Sequence, residues 1–190
     1  RAELIDGTMY MMAPPSRAHQ EIVGELFAAI RDYIKEKGGI CRPYVAPFAV
    51  FLNEDDHTYV EPDVSVICDP SKLNDKGCAG APDWIIEVVS PGSQRIDYMI
   101  KLFKYRTAGV REYWIVDKTK NRIIVYNFEK NDDGYTYFLN WNDYLVAFDS
   151  RGNVIYFSNW KNEPNKNNSN PTTEKQIIEI AKENLNKILG

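Results

Sequence analysis

The sequence predicts an α/β fold with a restriction-endonuclease-like arrangement, in which a mixed central sheet is flanked by helices. A strand, a helix and a second strand follow one another from Trp84 to Asp117, which is the pattern of a crossover unit. The 190 residues are 26% charged and 44% hydrophobic, which excludes a disordered, collagen-like or membrane-embedded chain. No apolar run reaches the roughly 18 residues that a membrane helix needs.

The first half of the chain is predicted to contain a hairpin, a helix and four strands. Residues 3–12 form the hairpin, because Asp6-Gly7 supports the positive φ angles of a tight turn. The helix begins near Ser16, carries apolar residues at helical spacing, and ends at Gly38-Gly39. The strands are predicted at residues 40–45, 48–52, 59–68 and 84–89, with a glycine- and proline-bearing loop at 69–82.

The second half is predicted to begin with a helix at residues 94–108 that ends at Gly109 and leads into a strand at 112–117. Extra strands follow at residues 122–128, 135–141, 144–148 and 153–157, so that one domain covers residues 1–158. Residues 159–172 are rich in asparagine and predict a flexible polar linker. Residues 173–190 predict an amphipathic C-terminal helix, which begins with a capping box.

Cysteine usage and charge restrict the setting and the partners. Cys41, Cys68 and Cys78 are an odd number at wide spacing, and no export signal is visible, so we expect reduced thiols and a cytoplasmic protein. The net charge of −4 does not indicate nucleic-acid binding by the molecule as a whole. Residues 95–122 carry eight basic against three acidic side chains, a local charge of +5 that fits either a polyanion-binding patch or a solvated face.

Two carboxylates interrupt strands that otherwise read as buried. Glu87 lies within the apolar run at residues 84–89, and Asp63 lies within residues 61–66. A buried carboxylate is costly unless it has a partner, a metal ion or water beside it. Each residue alone fits a solvent-facing position equally well, but two such interruptions in neighbouring strands favour a shared site.

A lysine on the following helix is the third element of this pattern. Asp97, Lys101 and Tyr105 are spaced four residues apart and therefore lie along one stripe of the helix. Lys101 either forms a surface ion pair with Asp97 or points toward the two carboxylates. In the second case the group has the parts for metal-assisted phosphodiester hydrolysis, because carboxylates bind Mg²⁺ and an ammonium stabilises developing negative charge.

The sequence around these residues matches a known pattern. The matching segments are Pro62-Asp63, Glu87-Val88-Val89, the Asp97, Lys101 and Tyr105 spacing, Gly109 to Asp117, Glu3 to Gly7, His19 and Gly80 to Asp83. Together they resemble the Uma-two family of restriction-endonuclease-like proteins, in the PD-(D/E)XK nuclease superfamily. The similarity covers about residues 3–157.

The resemblance implies a Mg²⁺-dependent endonuclease acting on DNA, with Mn²⁺ able to replace Mg²⁺. In this interpretation Asp63, Glu87 and the Val88 carbonyl bind the metal. Lys101 interacts with the attacking water or stabilises the transition state. The sequence departs from the superfamily pattern at Val89, where a lysine is expected. The resemblance implies that the lysine has moved to the helix as Lys101, with Lys104 as the fallback.

The sequence leaves several accessory site residues and two alternative functions as candidates. His19 projects from the apolar face of the first helix, which favours a packing histidine over a catalytic one. Glu25 lies on the flank of that face and is an accessory candidate, as are Asp97, Lys104 and Tyr105. A homodimer would allow both DNA strands to be cut. The alternatives are a nucleic-acid-binding protein with weak or no cleavage, and a protein-interaction module that uses the final helix.

Overall fold

A computed structural model describes residues 1–53, 57–120 and 122–128, together with the backbone of three further strands at 136–140, 144–148 and 154–159. The described residues have a mixed α/β fold, which confirms the predicted fold class. Their strands form two sheets rather than the single sheet that we predicted.

The bounds of the elements are as follows. The strands are β1 (Ala2–Ile5), β2 (Thr8–Met11), β3 (Arg42–Val45), β4 (Val50–Phe51), β5 (Tyr59–Val60), β6 (Val64–Ile67), β7 (Leu73–Asn74), β8 (Gly77–Ala79), β9 (Trp84–Val88), β10 (Glu112–Asp117), β11 (Arg122–Asn127), β12 (Thr136–Asn140), β13 (Tyr144–Phe148) and β14 (Val154–Asn159). The helical elements are α1 (Arg17–Glu36), a 3₁₀ turn (Pro70–Lys72), a π-helical segment (Ile96–Lys101) and α2 (Leu102–Ala108).

The predicted hairpin and first helix are confirmed. β1 and β2 pair antiparallel around Asp6 and Gly7, whose φ angles of 50° and 74° suit a tight turn. Ser16 caps α1 by accepting a hydrogen bond from the backbone N–H of His19. Gly38 follows the helix with a φ of 65°, as expected for a left-handed ending.

The larger sheet has eight strands within the described residues, in the order β14-β13-β12-β11-β10-β9-β6-β3. β9 and β10 are parallel and are joined by the π-helical segment and α2, which confirms the predicted crossover unit. The other pairs in this sheet are antiparallel. This topology places β6 and β9 side by side, between β10 and β3.

The smaller sheet contains six of the described strands, in the order β2-β1-β5-β4-β8-β7. Its presence corrects two predictions. The single strand expected at residues 59–68 is divided into β5 and β6 at Pro62, because proline has no N–H for a ladder and restricts the preceding residue. The loop expected at 69–82 contains β7 and β8, which are too short to produce a recognisable alternation of apolar residues.

The two faces of β9 pack against different layers. Trp84, Ile86 and Val88 belong to the core beneath α1, whereas Ile85 and Val89 belong to the core between the larger sheet, the smaller sheet and α2. Side chains alternate along a strand, so Glu87 points into the second layer. That layer is the one in which the crossover helices lie.

The disulfide corrects the expected state of the cysteines. Cys41 and Cys68 are bonded to each other, and Cys78 is free and buried. Because β3 and β6 pair antiparallel with Arg42 opposite Ile67, the two cysteines flanking these strands come together across 27 residues of sequence. The expected cytoplasmic location therefore loses the support of three reduced thiols and stays a prediction.

Some predictions fall outside the described residues. These are the linker beyond Asn159 and the helix at 173–190. Neither α1 nor any other described helix has the length and apolar character required to cross a membrane. The helix predicted at 94–108 is confirmed: the chain is helical from Gln94, takes a π-helical form over Ile96–Lys101 and continues as α2 to Ala108.

Candidate active site

A cleft of about 700 Å³ opens where the loop after β2, the start of α1, the end of β9 and the π-helical segment meet. Six of the residues predicted for the site line it, together with Glu3, which we did not predict. The six are His19, Asp63, Glu87, Val88, Asp97 and Lys101. The structure thus gathers side chains from β1, α1, β9, the segment before β6 and the crossover.

Strand register brings the two predicted metal-binding carboxylates together. β6 and β9 pair antiparallel with Val64 opposite Ile86, and extending that register by one residue places Asp63 beside Glu87. Asp63 Oδ2 also accepts a hydrogen bond of 2.8 Å from the backbone N–H of Val88. The carboxylate of Asp63 is therefore fixed to the end of the strand that carries Glu87.

Lys101 lies at the centre of a buried cluster that we call the Lys101 cluster, which consists of Glu3, Glu87, Asp97, Lys101 and Tyr105. Lys101 Nζ donates to Glu87 Oε1 at 2.9 Å and to Glu3 Oε1 at 3.0 Å, and it lies 3.7 Å from Asp97 Oδ1. The Tyr105 hydroxyl donates to Glu87 Oε1 at 2.7 Å. Lys101 is 2% exposed, so the surface ion pair with Asp97 that we left open from sequence is not what the structure contains.

Burial and the neighbouring charges shift the pKa values of Lys101, Glu87 and Asp97. Burial by itself would lower the pKa of Lys101, but the three surrounding acids raise it above its ordinary value, so the side chain is an ammonium. Burial raises the pKa of Glu87 well above its usual range, against the opposing charge of Lys101. Burial also raises the pKa of Asp97 to about 6. Three carboxyl groups thus surround one ammonium.

Each of the two central carboxylates keeps one oxygen available. The hydrogen bonds that Asp63 makes within the described residues use Oδ2, and those of Glu87 use Oε1. Asp63 Oδ1 and Glu87 Oε2 therefore have no hydrogen-bond partner in that part of the chain. Two carboxylate oxygens beside a backbone carbonyl are the donor type that Mg²⁺ prefers, and Mg²⁺ usually retains several waters in addition.

A complete metal-binding cluster is not prearranged among the described residues, which contain no group of three or more His, Cys, Asp or Glu side chains positioned to hold an ion. The ligands predicted from sequence are only two carboxylates and one carbonyl. The donor set consequently fits a cation that takes its remaining ligands from water or substrate, rather than a closed structural site.

His19, for which the helical position favoured a hydrogen-bonded packing role and which was also an accessory candidate, lines the cleft. Its Nε2 is 3.1 Å from Asp63 Oδ2, and its Nδ1 is buried without a partner among the described residues. Burial lowers the pKa of His19, but the hydrogen bond to Asp63 and the charge of that carboxylate raise it further, so that the pKa lies above its ordinary value. The helical wheel could not show that the first turn of α1 extends over the cleft.

The other accessory candidates have different positions. Asp97 and Tyr105 are members of the Lys101 cluster. Glu25 is exposed on α1 and is not among the residues that line the cleft. Lys104 pairs with Asp6 at the hairpin turn and likewise does not line the cleft, so it is not positioned as a substitute for Lys101.

Sequence reasoning did not assign a role to Glu3, although it contacts Lys101 directly. The available signal was an acidic residue two positions before an apolar one in a short strand, which places both side chains on the same face. Glu3 and Ile5 are indeed both buried on one face of β1. The same signal identified Glu87. In a strand of four residues, however, the alternation is too brief to separate a buried acid from a solvent-facing one.

Comparisons with known proteins identify a solved structure and a curated relative that this chain resembles. A solved structure, "Crystal structure of a putative nuclease belonging to DUF820 from Anabaena variabilis ATCC 29413", superposes with a TM-score of 0.60 at 20% identity and covers 75% of this chain and 78% of its own. This likeness shows a shared fold. A curated relative, the uncharacterized protein slr1290 of Synechocystis sp. (strain ATCC 27184 / PCC 6803 / Kazusa), is 29% identical over 140 residues, which are 73% of this chain and 71% of the relative.

The family comparison covers most of the chain. The model of the Uma2 family, described as "Putative restriction endonuclease", matches residues 1–138 of the 190. This range contains every residue that lines the cleft. The chain therefore belongs to the Uma2 family.

Proposed function

We propose that this protein is a Mg²⁺-dependent endonuclease of the PD-(D/E)XK type, which hydrolyses phosphodiester bonds in DNA. The observation that carries the proposal is the meeting of Asp63, Glu87 and Lys101 in one cleft, from three separate segments of the chain. Membership of the Uma2 family and the nuclease-like fold support the same reaction class.

The charge of the cleft supports a divalent cation. Asp63 and the three acids of the Lys101 cluster contribute four carboxylates, whereas Lys101 contributes one ammonium. Such an excess of buried negative charge is unfavourable unless protons or a cation compensate it. A divalent cation would remove most of the excess without protonating the acids.

In the proposed mechanism, Asp63, Glu87 and the Val88 carbonyl would hold the cation. When bound, Mg²⁺ would polarise the phosphodiester and lower the pKa of the attacking water. The Val88 N–H fixes the orientation of Asp63, and the Tyr105 hydroxyl and Lys101 fix that of Glu87. Lys101 also supplies positive potential toward the negative charge that develops on the phosphate.

The test is cleavage of supercoiled plasmid DNA with Mg²⁺ or Mn²⁺ and with EDTA. We expect nicking or cleavage that requires the metal, and a loss of about 10²-fold or more in Asp63→Ala, because the cation loses an anchoring ligand. Glu36→Gln, at an exposed position near the end of α1, is the matched control and should cleave like the wild type. Efficient cleavage by Asp63→Ala, or undiminished cleavage in EDTA, would reject the assignment.

A second candidate function is DNA binding with little or no cleavage. It is favoured by Val89, which occupies the position where the superfamily has its lysine, and by the burial of Lys101 among carboxylates. In that case Lys101→Ala should leave DNA binding unchanged, while substitutions in the basic stretch at residues 95–122 should weaken it. Gel-shift titration in EDTA separates this function from cleavage.

The proposed partner is duplex DNA, and the proposed assembly is a symmetric homodimer. Two copies related by a twofold axis would present one cleft to each strand of the duplex. Light scattering at working concentrations, with and without DNA, measures the assembly directly. A monomer in both samples that still makes double-strand breaks would exclude it.

A further inference from the structure

Glu3 is one of the most enclosed charged residues among those described, with an exposed fraction of 2%. It lies in β1, which pairs with β5 through Leu4 and Tyr59. Its carboxylate makes contacts in two directions, toward Lys101 and toward the backbone before Asp63. An acid so buried requires partners, and the identity of these partners indicates its role.

We infer that Glu3 is a positioning residue for the candidate active site, which holds the Lys101 ammonium against Glu87 and anchors the segment leading to Asp63. The inference rests on the proposed nuclease function, and it adds a residue that does not itself contact the metal or the DNA. Its basis is the pair of contacts that one carboxylate makes to two segments bearing site residues.

The first contact is with Lys101. Glu3 Oε1 and Oε2 lie 3.0 and 2.9 Å from Nζ, so the ammonium is held by both oxygens of Glu3 and, on another side, by Glu87. A lysine side chain has four rotatable carbon–carbon bonds and no preorganised geometry of its own. Acceptors on two sides are therefore what fix the position of its charge.

The second contact is with the backbone N–H of Glu61, which donates to Glu3 Oε1 at 2.8 Å. Only Pro62 separates Glu61 from Asp63, and its ring fixes one of the backbone torsions between them. Fixing the backbone of Glu61 therefore also restricts the position of the Asp63 backbone. Glu3 connects the positions of the lysine and of the first metal-binding acid.

The same contacts argue against Glu3 as a metal ligand. Both of its oxygens already accept hydrogen bonds from Lys101 or Glu61. Asp63 and Glu87 differ from it, because each has an oxygen without such a bond in the described part of the chain. Glu3 should consequently affect the rate of the chemical step more than the binding of DNA.

The experiment compares Glu3→Gln and Glu3→Ala with Lys101→Met and the control Glu36→Gln. Cleavage of a short labelled duplex yields kcat and KM separately. Because misplacement of a reacting group by about 1 Å can cost about 10²-fold, we expect kcat to fall about tenfold in Glu3→Gln and about 100-fold in Glu3→Ala, with KM changed less than about twofold. Thermal unfolding verifies that each variant is folded.

A second measurement does not depend on cleavage. In metal-free protein, the ¹H–¹⁵N signal of the buried Lys101 ammonium should be observable and absent in Lys101→Met. We expect Glu3→Gln to broaden or remove it. If Glu3→Ala does not fold, the nearly isosteric Glu3→Gln carries both measurements.

The outcomes separate the two proposals. If the wild type shows no metal-dependent cleavage, the proposed function fails, and the ammonium signal alone decides whether Glu3 holds Lys101. If the wild type cleaves, wild-type kcat in Glu3→Gln and Glu3→Ala, or an unchanged Lys101 signal in both, overturns the role of Glu3. A rise of KM in these variants as large as the expected fall of kcat would also overturn this role, because it would indicate that Glu3 contributes to DNA binding.

Discussion

The two faces of β9 and β10 in the larger sheet are both buried but are stabilised by different interactions. Beneath α1, the layer around Leu26, Ile86 and Trp114 is apolar apart from Glu112, which accepts a hydrogen bond from Trp114 Nε1. On the opposite face, apolar residues surround the Lys101 cluster, in which Glu87 and Lys101 are almost completely buried. The first layer is held by non-directional burial, whereas the second depends on particular partners at particular distances.

The difference between the faces determines how each responds to change. A substitution beneath α1 leaves a cavity and no charge, so its cost follows the volume that is lost. A substitution in the Lys101 cluster leaves a buried charge without its partner, so its cost depends on pH and on cations.

Lys101→Met should produce the largest effect. The substitution retains much of the side-chain volume but leaves the acids of the Lys101 cluster without their ammonium, so we expect a loss of about 3–5 kcal/mol in the free energy of unfolding. Cleavage should also be lost. Urea denaturation at neutral pH in EDTA measures the change.

Leu26→Ala, on the opposite face, is the matched comparison, because it should cost a similar amount, about 2–5 kcal/mol. Added Mg²⁺ distinguishes the two variants. A cation that binds the folded state stabilises it by mass action, and the effect should be larger in Lys101→Met, whose cleft has lost a positive charge. Recovery of neither variant with Mg²⁺ would contradict a cation site in the cleft, and equal recovery of both would contradict an effect of the Lys101 charge on that site.

Asp97→Asn should have an effect of intermediate size on the free energy of unfolding, and it should stabilise the protein at pH 7. Burial raises the pKa of Asp97 from an ordinary value of 3.8 to about 6. A raised pKa means that the folded state binds the proton more tightly, so this contribution to stability is complete below pH 3.8 and is lost as the pH rises through about 6. Asparagine has no charge to bury, so the variant should exceed the wild type by about 1–3 kcal/mol at pH 7.

The pH dependence is the control within that experiment. Near pH 4, Asp97 in the folded protein is mostly protonated and, like asparagine, uncharged. The wild type and Asp97→Asn should therefore differ little in their free energy of unfolding at that pH. Chemical denaturation at several pH values between 4 and 7 in EDTA measures the divergence. A variant less stable than the wild type at pH 7 would mean that the contact of Asp97 with Lys101 outweighs the cost of its burial.

The contrast between the two faces also explains what could be predicted from the sequence. Helical spacing identified the face of α1 that contains Leu26 and Ile30, because an apolar layer repeats along the chain. Glu87 was found for the related reason that it breaks such a repeat. The fold class and the crossover unit followed from patterns of this local kind.

Contacts between segments distant in sequence could not be predicted in this way. Glu3 and Lys101 are separated by 98 residues, and Cys41 and Cys68 by 27, so neither pairing leaves a local pattern. The division of residues 59–68 between two sheets was indicated by Pro62, but the apolar run concealed it. The structure supplies the pairing of strands, which is what makes these residues neighbours.

His19 connects the two faces, and its substitution should give the smallest effect. The residue belongs to α1, yet its Nε2 reaches Asp63 Oδ2 at 3.1 Å, and this carboxylate contributes to raising the pKa of His19 above 6.5. The charged imidazole therefore stabilises the fold below pH 6.5, and this stabilisation is lost as the pH rises through the raised pKa. Glutamine can still donate a neutral hydrogen bond to Asp63, so His19→Gln should cost less than about 1 kcal/mol at pH 5 and still less at pH 9. Denaturation at both pH values in EDTA measures the difference. A cost that is the same at both would mean that His19 serves only as a packing residue of the α1 layer, as its helical spacing first indicated.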